Sequence, residues 1–146
     1  MQPWILLVDD DPEDRDIIME AMEEAHAFQL FRYAENGEQA IAKLKDINPQ
    51  QLPALIVLDL NMPKMNGTQT LRKLKSDDRF KNIPVIIYST SINPLEMEKC
   101  MQLGAHSYVT KPVSIKESLE TAKLFFRFCE GNGVEGEAYR SDAKKW

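Results

Sequence analysis

Short runs of apolar residues alternate along the chain with segments of helical periodicity. Three runs cover residues 4–8, 55–58 and 84–88, and weaker strand-like segments cover 28–33 and 107–110. Uninterrupted runs rich in branched side chains are typical of strands buried on both faces, as in parallel sheets. The intervening segments place apolar residues three or four positions apart, which predicts helices. Five strands alternating with five helices predict a doubly wound α/β fold, a parallel sheet covered by helices on both faces.

Capping residues indicate where several of these helices begin. Pro12 stands at a position where a helix needs no backbone N–H, and Asp11 before it is the expected N-cap. Asn36 and Asn66 are each followed three residues later by a glutamine, and Ser114 is followed at the same distance by a glutamate. This spacing is that of a capping box. The sequence therefore predicts helix starts next to the ends of the predicted strands.

Length and charge limit the classes of protein to consider. The 146 residues suit a single domain, which we expect over residues 1–130, followed by a flexible tail over 131–146. A net charge of −5 argues against a general nucleic-acid binder, and no apolar stretch is long enough to span a bilayer. Cys100 and Cys129 lack metal-ligand spacing and are expected to be buried thiols. We therefore expect a cytoplasmic protein that binds neither nucleic acid nor membrane.

Side chains capable of chemistry stand at the ends of four predicted strands. Asp9 and Asp10 follow the first strand, Asp59 the third, Ser89 the fourth and Lys111 the fifth. The carboxyl ends of parallel strands meet at one edge of the sheet, so these groups are expected to converge. Close carboxylates repel one another, and a lysine with a hard cation such as Mg²⁺ relieves the repulsion. Such a site suits phosphoryl transfer to a carboxylate.

Each group taken alone has a simpler explanation. Asp59 is also consistent with a turn residue or a helix cap, and the acidic run before Pro12 with a helix N-terminus that favours negative charge. Lys111 alone resembles a solvated surface lysine, and Ser89 a loop hydroxyl. Their joint occurrence at the strand ends favours one shared site over four unrelated explanations.

The chain resembles the receiver domains of two-component response regulators. The resemblance rests on residues 7–10, 58–63, 66–67, 84–89, 104–105 and 108–112, and it extends over about residues 4–130. Within the family the chain is most similar to small stand-alone receivers, including those associated with phytochromes. The resemblance implies a flavodoxin-like strand order 2-1-3-4-5. It also implies a phosphorelay protein that is not an enzyme, apart from catalysing its own phosphorylation and dephosphorylation.

The resemblance assigns the central roles to individual residues. It implies that Asp59 accepts a phosphoryl group from a histidine. It further implies that Asp9, Asp10, Asp59 and the backbone carbonyl of Asn61 hold Mg²⁺. Lys111 is expected to pair with the phosphoryl group on Asp59.

The same resemblance implies a switch and a tuning function around the acceptor. Ser89 is expected to contact the phosphoryl group, and Tyr108 to turn inward when Ser89 moves. Asn61 and Ser91 occupy positions that tune the lifetime of the phosphoryl group in relatives. The peptide bond preceding Pro112 is expected to be cis, a state that proline makes accessible.

The expected partners are proteins. The resemblance implies a sensor histidine kinase or histidine phosphotransfer protein as donor and a downstream protein as target. A homodimer is expected through the face of the fourth and fifth helices and strands, with Phe125 contributing to it.

Two alternative functions are compatible with an Asp after a buried strand. A phosphoaspartyl hydrolase of the haloacid dehalogenase type places a second Asp two residues on, where this chain has Asn61. A flavodoxin-like flavin carrier needs a phosphate-binding loop after the first strand, where Asp9, Asp10 and Asp11 would repel a phosphate. Both alternatives are therefore less consistent with the sequence than a receiver.

Overall fold

A computed structural model describes residues 3–24 and 30–129 of the chain. Its elements are β1 (Ile5–Val8), α1 (Pro12–Glu24), β2 (Phe31–Ala34), α2 (Gly37–Lys45), β3 (Leu55–Leu58), α3 (Gly67–Ser76), β4 (Val85–Ser89), α4 (Pro94–Gln102), β5 (Ser107–Thr110) and α5 (Ile115–Cys129). The second strand is predicted over 28–33 and observed from Phe31, and residues 28 and 29 lie outside the described part. The predicted tail, 131–146, lies outside it as well.

The five strands form one parallel sheet in the order β2-β1-β3-β4-β5. Val8 pairs with Ala34 on one side and with Leu58 on the other, and Leu58 pairs with Ile87. The last residues of β1, β2 and β3 are therefore level at the carboxyl edge, and β4 and β5 run two residues further, to the pair Ser89 and Thr110. The predicted doubly wound fold and its strand order are confirmed.

Alternate side chains of each strand face opposite sides of the sheet, and helices cover both sides. Leu6 and Val8 pack with α2, α3 and α4, whereas Ile5 and Leu7 pack with α1 and α5. All residues of β1, β3 and β4 are buried, which explains their continuous apolar runs. Two cores thus hold the central strands, and with them the loops at their ends, in a fixed position.

The helix caps fix where the chain leaves the sheet edge. The Asp11 side chain accepts a hydrogen bond of 2.9 Å from the backbone N–H of Glu13, as expected of an N-cap ahead of Pro12. Asn66 and Gln69 form the predicted capping box at the start of α3. These caps hold α1 and α3 beside the loops that follow β1 and β3.

Two further observations concern the surface. Phe125 is buried, with its ring packed edge-on against Tyr88 at a centroid distance of 5.3 Å. Its predicted contribution to a dimer face is therefore wrong, because the apolar face of α5 at this position packs onto the sheet. Over the described ranges, no helix has both the length and the apolar character needed to cross a bilayer.

Candidate functional site

Asp59 lies immediately after β3 at the carboxyl edge of the sheet. Its backbone N–H donates to the carbonyl of Val8 at 2.9 Å, which continues the strand pairing by one residue. Its side chain is buried, and burial raises the pKa of its carboxyl. The Lys111 ammonium and hydrogen bonds from the backbone N–H groups of Asn61 and Leu60 act in the opposite direction. The fold therefore keeps a carboxylate of limited exposure at a defined point.

Asp9 and Asp10 bring two more carboxylates to the same point. One oxygen of each of Asp9, Asp10 and Asp59 lies within 4.8 Å of the other two. Asp9 is 3% exposed, and its pKa is raised to about 7. Burial is the main cause of the rise and the charge of Asp59 adds to it, whereas the Lys111 ammonium acts in the opposite direction. Asp10 is exposed. Two buried acids and an exposed one thus share a small volume in which their charges repel.

This donor set fits a divalent cation. Hard cations such as Mg²⁺ and Mn²⁺ take carboxylate and carbonyl oxygens and retain water at the remaining positions. The exposed side of Asp10 leaves access to solvent, while Asp9 and Asp59 gain from a counter-charge because burial penalises their ionised forms. Asn61, two residues after Asp59, has an exposed side chain. Its backbone carbonyl as a fourth ligand stays a prediction.

Lys111 brings a cation to the acidic cluster. Its backbone N–H donates to the carbonyl of Ser89 at 2.8 Å, which fixes the start of the loop after β5. The Nζ atom lies 3.1 Å from Asp9 Oδ2, 2.6 Å from Asp14 Oδ2 and 3.6 Å from Asp59 Oδ2. Burial alone would lower the pKa of Lys111, but the three carboxylates raise it above its ordinary value. The ammonium is therefore permanently charged beside the cluster.

Ser89, Ser91 and Tyr108 form a second group beside the cluster. The Ser89 side chain is fully buried, and its Oγ accepts a hydrogen bond of 3.2 Å from the Ser91 N–H. The Tyr108 hydroxyl donates to the Ser91 carbonyl at 2.8 Å. The Ser91 hydroxyl donates to Glu96 at the start of α4. Within residues 3–24 and 30–129, no side-chain hydrogen bond joins Ser89 to Asp59 or Lys111.

The sequence that forms this edge matches a known family. The profile of the response regulator receiver domain matches residues 5–123. The chain belongs to this family. The receiver is 34% identical over 119 residues to the chemotaxis protein CheY1 of Helicobacter pylori, covering 80% of this chain and 93% of that one.

Solved structures of response regulators are similar to this receiver. The phosphorylated cyanobacterial phytochrome response regulator RcpA shares 29% identity at a TM-score of 0.83, over 94% of this chain and 100% of that chain. The Mn²⁺-bound form of response regulator Rcp1 shares 26% identity at a TM-score of 0.78, over 90% and 97% of the two chains.

The curated relatives differ in length. The receiver spans 93% of CheY1 but only 30% of a protein-glutamate methylesterase/protein-glutamine glutaminase from Trichodesmium erythraeum, with which it shares 34% identity over 76% of its own length. The similarity to the methylesterase therefore concerns one part of that protein.

The structure brings together four of the predicted site residues. Asp9, Asp10, Asp59 and Lys111 meet at the sheet edge. Tyr108 already lies inward, because its side chain is fully buried, so its movement as a switch stays a prediction. Asn61 lies two residues after Asp59 and Ser91 two residues after Ser89, and their effect on phosphoryl lifetime also stays a prediction.

The peptide bond preceding Pro112 differs from the expectation. Among the described residues no peptide bond is cis, so the bond between Lys111 and Pro112 is trans. The trans form of a bond before proline is favoured by about 0.5–1 kcal/mol, so it needs no special contact to hold it.

Asp14 is the site residue that the sequence interpretation missed. It lies in the first turn of α1, where an acidic side chain is already explained by the helix dipole. The available signal was its position: α1 begins directly after the acidic loop, so its first turn lies at the carboxyl edge of the sheet. Its pairing with Lys111 makes it part of the charge network.

Proposed function

We propose that this receiver accepts a phosphoryl group on Asp59 from a histidine of a sensor kinase or a histidine phosphotransfer protein. The observation that carries the proposal is the Asp59 carboxylate at the sheet edge, clustered with two acids and 3.6 Å from a lysine ammonium. A phosphorylated structure of a similar response regulator, RcpA, supports it. The downstream target is then a protein that distinguishes the two forms.

The chemistry needs only groups that meet at this edge. A carboxylate oxygen of Asp59 attacks phosphorus, a new P–O bond forms an acyl phosphate, and the P–N bond to the donor imidazole breaks. Lys111 neutralises charge on the transferred oxygens, and Ser89 donates a hydrogen bond to them once it moves. Phosphoryl transfer depends mainly on such positioning and charge neutralisation.

We propose Mg²⁺ as the cation of the acidic cluster. Asp9, Asp10, Asp59 and the backbone carbonyl of Asn61 would hold it. When bound, it supplies positive charge for the carboxylates and the phosphoryl oxygens. The Mn²⁺-bound structure of Rcp1 supports a divalent cation.

The output is proposed to be a change of binding surface rather than turnover of a substrate. Ile92, Leu95, Val113 and Ile115 are apolar and well exposed, and they lie just after β4 and β5, which are neighbours in the sheet. Ser91, joined to both Ser89 and Tyr108, lies between the phosphorylation site and this surface. Movement of Ser89 would alter the exposed apolar surface through Ser91, so that the charge of the phosphoryl group on Asp59 changes what this surface binds. A second copy of the chain is one proposed partner for this surface. The cytoplasmic location of the protein stays a prediction.

Intact mass measures the proposed reaction directly. Wild type incubated with Mg²⁺ and acetyl phosphate is expected to gain one phosphoryl group, and EDTA is expected to prevent the gain. Asp59→Asn removes the nucleophile and should gain nothing. Asp11→Asn is the matched control, because Asp11 lies at the same edge but caps α1, and it should gain like wild type. Equal gain by wild type and Asp59→Asn would refute the assignment.

A further inference from the structure

Asp14 forms the shortest ion pair of Lys111. The Lys111 Nζ atom lies 2.6 Å from Asp14 Oδ2 and 3.6 Å from Asp59 Oδ2. The two paired side chains are only 10% and 18% exposed, so solvent screens this pair less than a surface pair. The contact is a short charge-assisted hydrogen bond, one of the stronger kinds in proteins.

Asp14 is held in place by its helix. The cap made by Asp11 fixes the first turn of α1, and Ile18 and Met22 anchor the helix in the core beneath the sheet. The carboxylate of Asp14 therefore cannot follow the ammonium far. Lys111, by contrast, has a flexible four-carbon stem that can change partner without moving the backbone.

The partners of Lys111 are unequal. The Lys111 Nζ atom also lies 3.1 Å from Asp9 Oδ2, whereas its distance to Asp59 Oδ2 is 3.6 Å, the longest of the three. The Tyr88 ring approaches the ammonium from another side, with its centroid at 5.6 Å. The ammonium thus lies toward α1, and it would have to move away from Asp14 to pair fully with a group on Asp59.

We propose that Asp14 is a positioning residue that holds the Lys111 ammonium toward α1 and competes for it with the phosphoryl group. The inference rests on the proposed function, since it concerns phosphorylation of Asp59. When the phosphoryl group forms, Lys111 exchanges the Asp14 carboxylate for phosphoryl oxygens. Because phosphorylation requires Lys111 to give up its contact with Asp14, Asp14 disfavours the phosphorylated form and keeps the unphosphorylated receiver the favoured one.

The test compares Asp14→Asn with Glu13→Gln. Both variants remove one negative charge from the first turn of α1, but Glu13 is exposed and makes no ion pair with Lys111 among the described residues. Two readouts are needed. One is the phosphorylation rate with acetyl phosphate at saturating Mg²⁺, followed by intact mass. The other is the ¹H–¹⁵N signal of the Lys111 ammonium, assigned with Lys111→Arg and recorded without Mg²⁺ before phosphorylation and with Mg²⁺ after it.

We expect Asp14→Asn to be phosphorylated about threefold to tenfold faster than wild type, because the Lys111 ammonium no longer has to leave a carboxylate at this position. A tenfold change corresponds to about 1.4 kcal/mol. Its unphosphorylated Lys111 signal should be displaced from the wild-type position toward that of phosphorylated wild type. Glu13→Gln should match wild type in both readouts. Asp14→Ser repeats the test if the asparagine variant is poorly folded.

Three results would overturn one claim or the other. A rate for Asp14→Asn equal to or below that of Glu13→Gln would refute competition. An unchanged Lys111 signal in Asp14→Asn would refute the hold on the ammonium. Wild type that takes up no phosphoryl group would refute the proposed function instead, and the Lys111 signal without Mg²⁺ would still decide whether Asp14 holds the ammonium.

Discussion

Lys111 is the residue on which the charge balance of the site depends. It faces two carboxylates, Asp9 and Asp59, that are almost inaccessible to water, and a third, Asp14, at the start of α1. Ionised groups in such surroundings are stable only when paired. In the absence of a bound metal, we therefore expect Lys111 to stabilise the fold as well as to serve the proposed chemistry.

Replacement of Lys111 by glutamine measures this dependence. Lys111→Gln leaves the buried acids without their lysine, and breaking a buried ion pair costs about 3 kcal/mol or more. Urea unfolding in EDTA should show this loss. The control is Lys81→Gln, whose partner Asp78 is exposed, and that change should cost about 0.5 kcal/mol or less. Equal stability of the two variants would contradict the account.

Among the elements, α3 begins against the backbone of the candidate acceptor. Gly67, its first residue, donates its N–H to the Leu60 carbonyl at 3.0 Å. A Cβ atom at Gly67 would lie 2.2 Å from the carbonyl oxygen of Asp59 and 2.6 Å from the Cα of Leu60. The helix start and the end of β3 are thus in direct backbone contact, which only glycine permits.

Gly67→Ala tests this contact. The added methyl group meets backbone atoms, which cannot rotate away, so we expect a loss of about 1–3 kcal/mol in the free energy of unfolding. The displaced backbone carries the Asp59 carboxylate, so slower phosphorylation by acetyl phosphate should accompany the loss. Thr68→Ala, one residue along the same turn, should change stability by about 0.5 kcal/mol or less. A Gly67→Ala protein as stable as wild type would show that the backbone contact is looser than described.

Most elements could be predicted from the sequence because their signals are local. The runs at 4–8, 55–58 and 84–88 are typical of strands buried on both faces, and capping residues such as Asn66 mark the helix starts. The weak alternation at 28–33 predicts the second strand with bounds that differ from the observed Phe31–Ala34. This strand lies at the edge of the sheet and therefore has a weaker apolar pattern.

The candidate site could be predicted only where strand order alone brings residues together. Asp9, Asp59 and Lys111 each follow a strand at the carboxyl edge of one parallel sheet, so convergence followed from topology. Asp14 was missed because its contact depends on the direction in which a helix leaves the edge. The burial of Phe125 was missed because α5 carries several neighbouring apolar residues, and periodicity does not tell which of them face the sheet and which face solvent.

At the scale of the whole molecule, the exposed apolar surface after β4 and β5 is the feature without an internal explanation. Leu95 and Ile92 are 76% and 72% exposed, and Val113 and Ile115 lie beside the neighbouring strand. A contiguous patch of exposed apolar side chains marks a binding surface, and we expect these four residues to form one. The proposed homodimer would use this surface.

Sedimentation velocity distinguishes a dimer surface from another docking surface. We expect the phosphorylated wild type to sediment as a dimer and Leu95→Asp to sediment as a monomer under the same conditions. Met19→Asp is the control, because Met19 is exposed on α1, and it should remain dimeric. A wild type that is monomeric in both states would rule out the homodimer and leave a different protein as the partner.

The measurement that tests the central claim most directly is the identity of the phosphorylated carboxyl. Borohydride reduces an acyl phosphate but not a free carboxylate, and it converts the modified aspartate to homoserine, which peptide mass spectrometry then places in the sequence. After treatment with Mg²⁺ and acetyl phosphate, we expect homoserine at position 59 and unchanged aspartate at positions 9 and 10. Homoserine at either of those positions, with Asp59 unmodified, would contradict it.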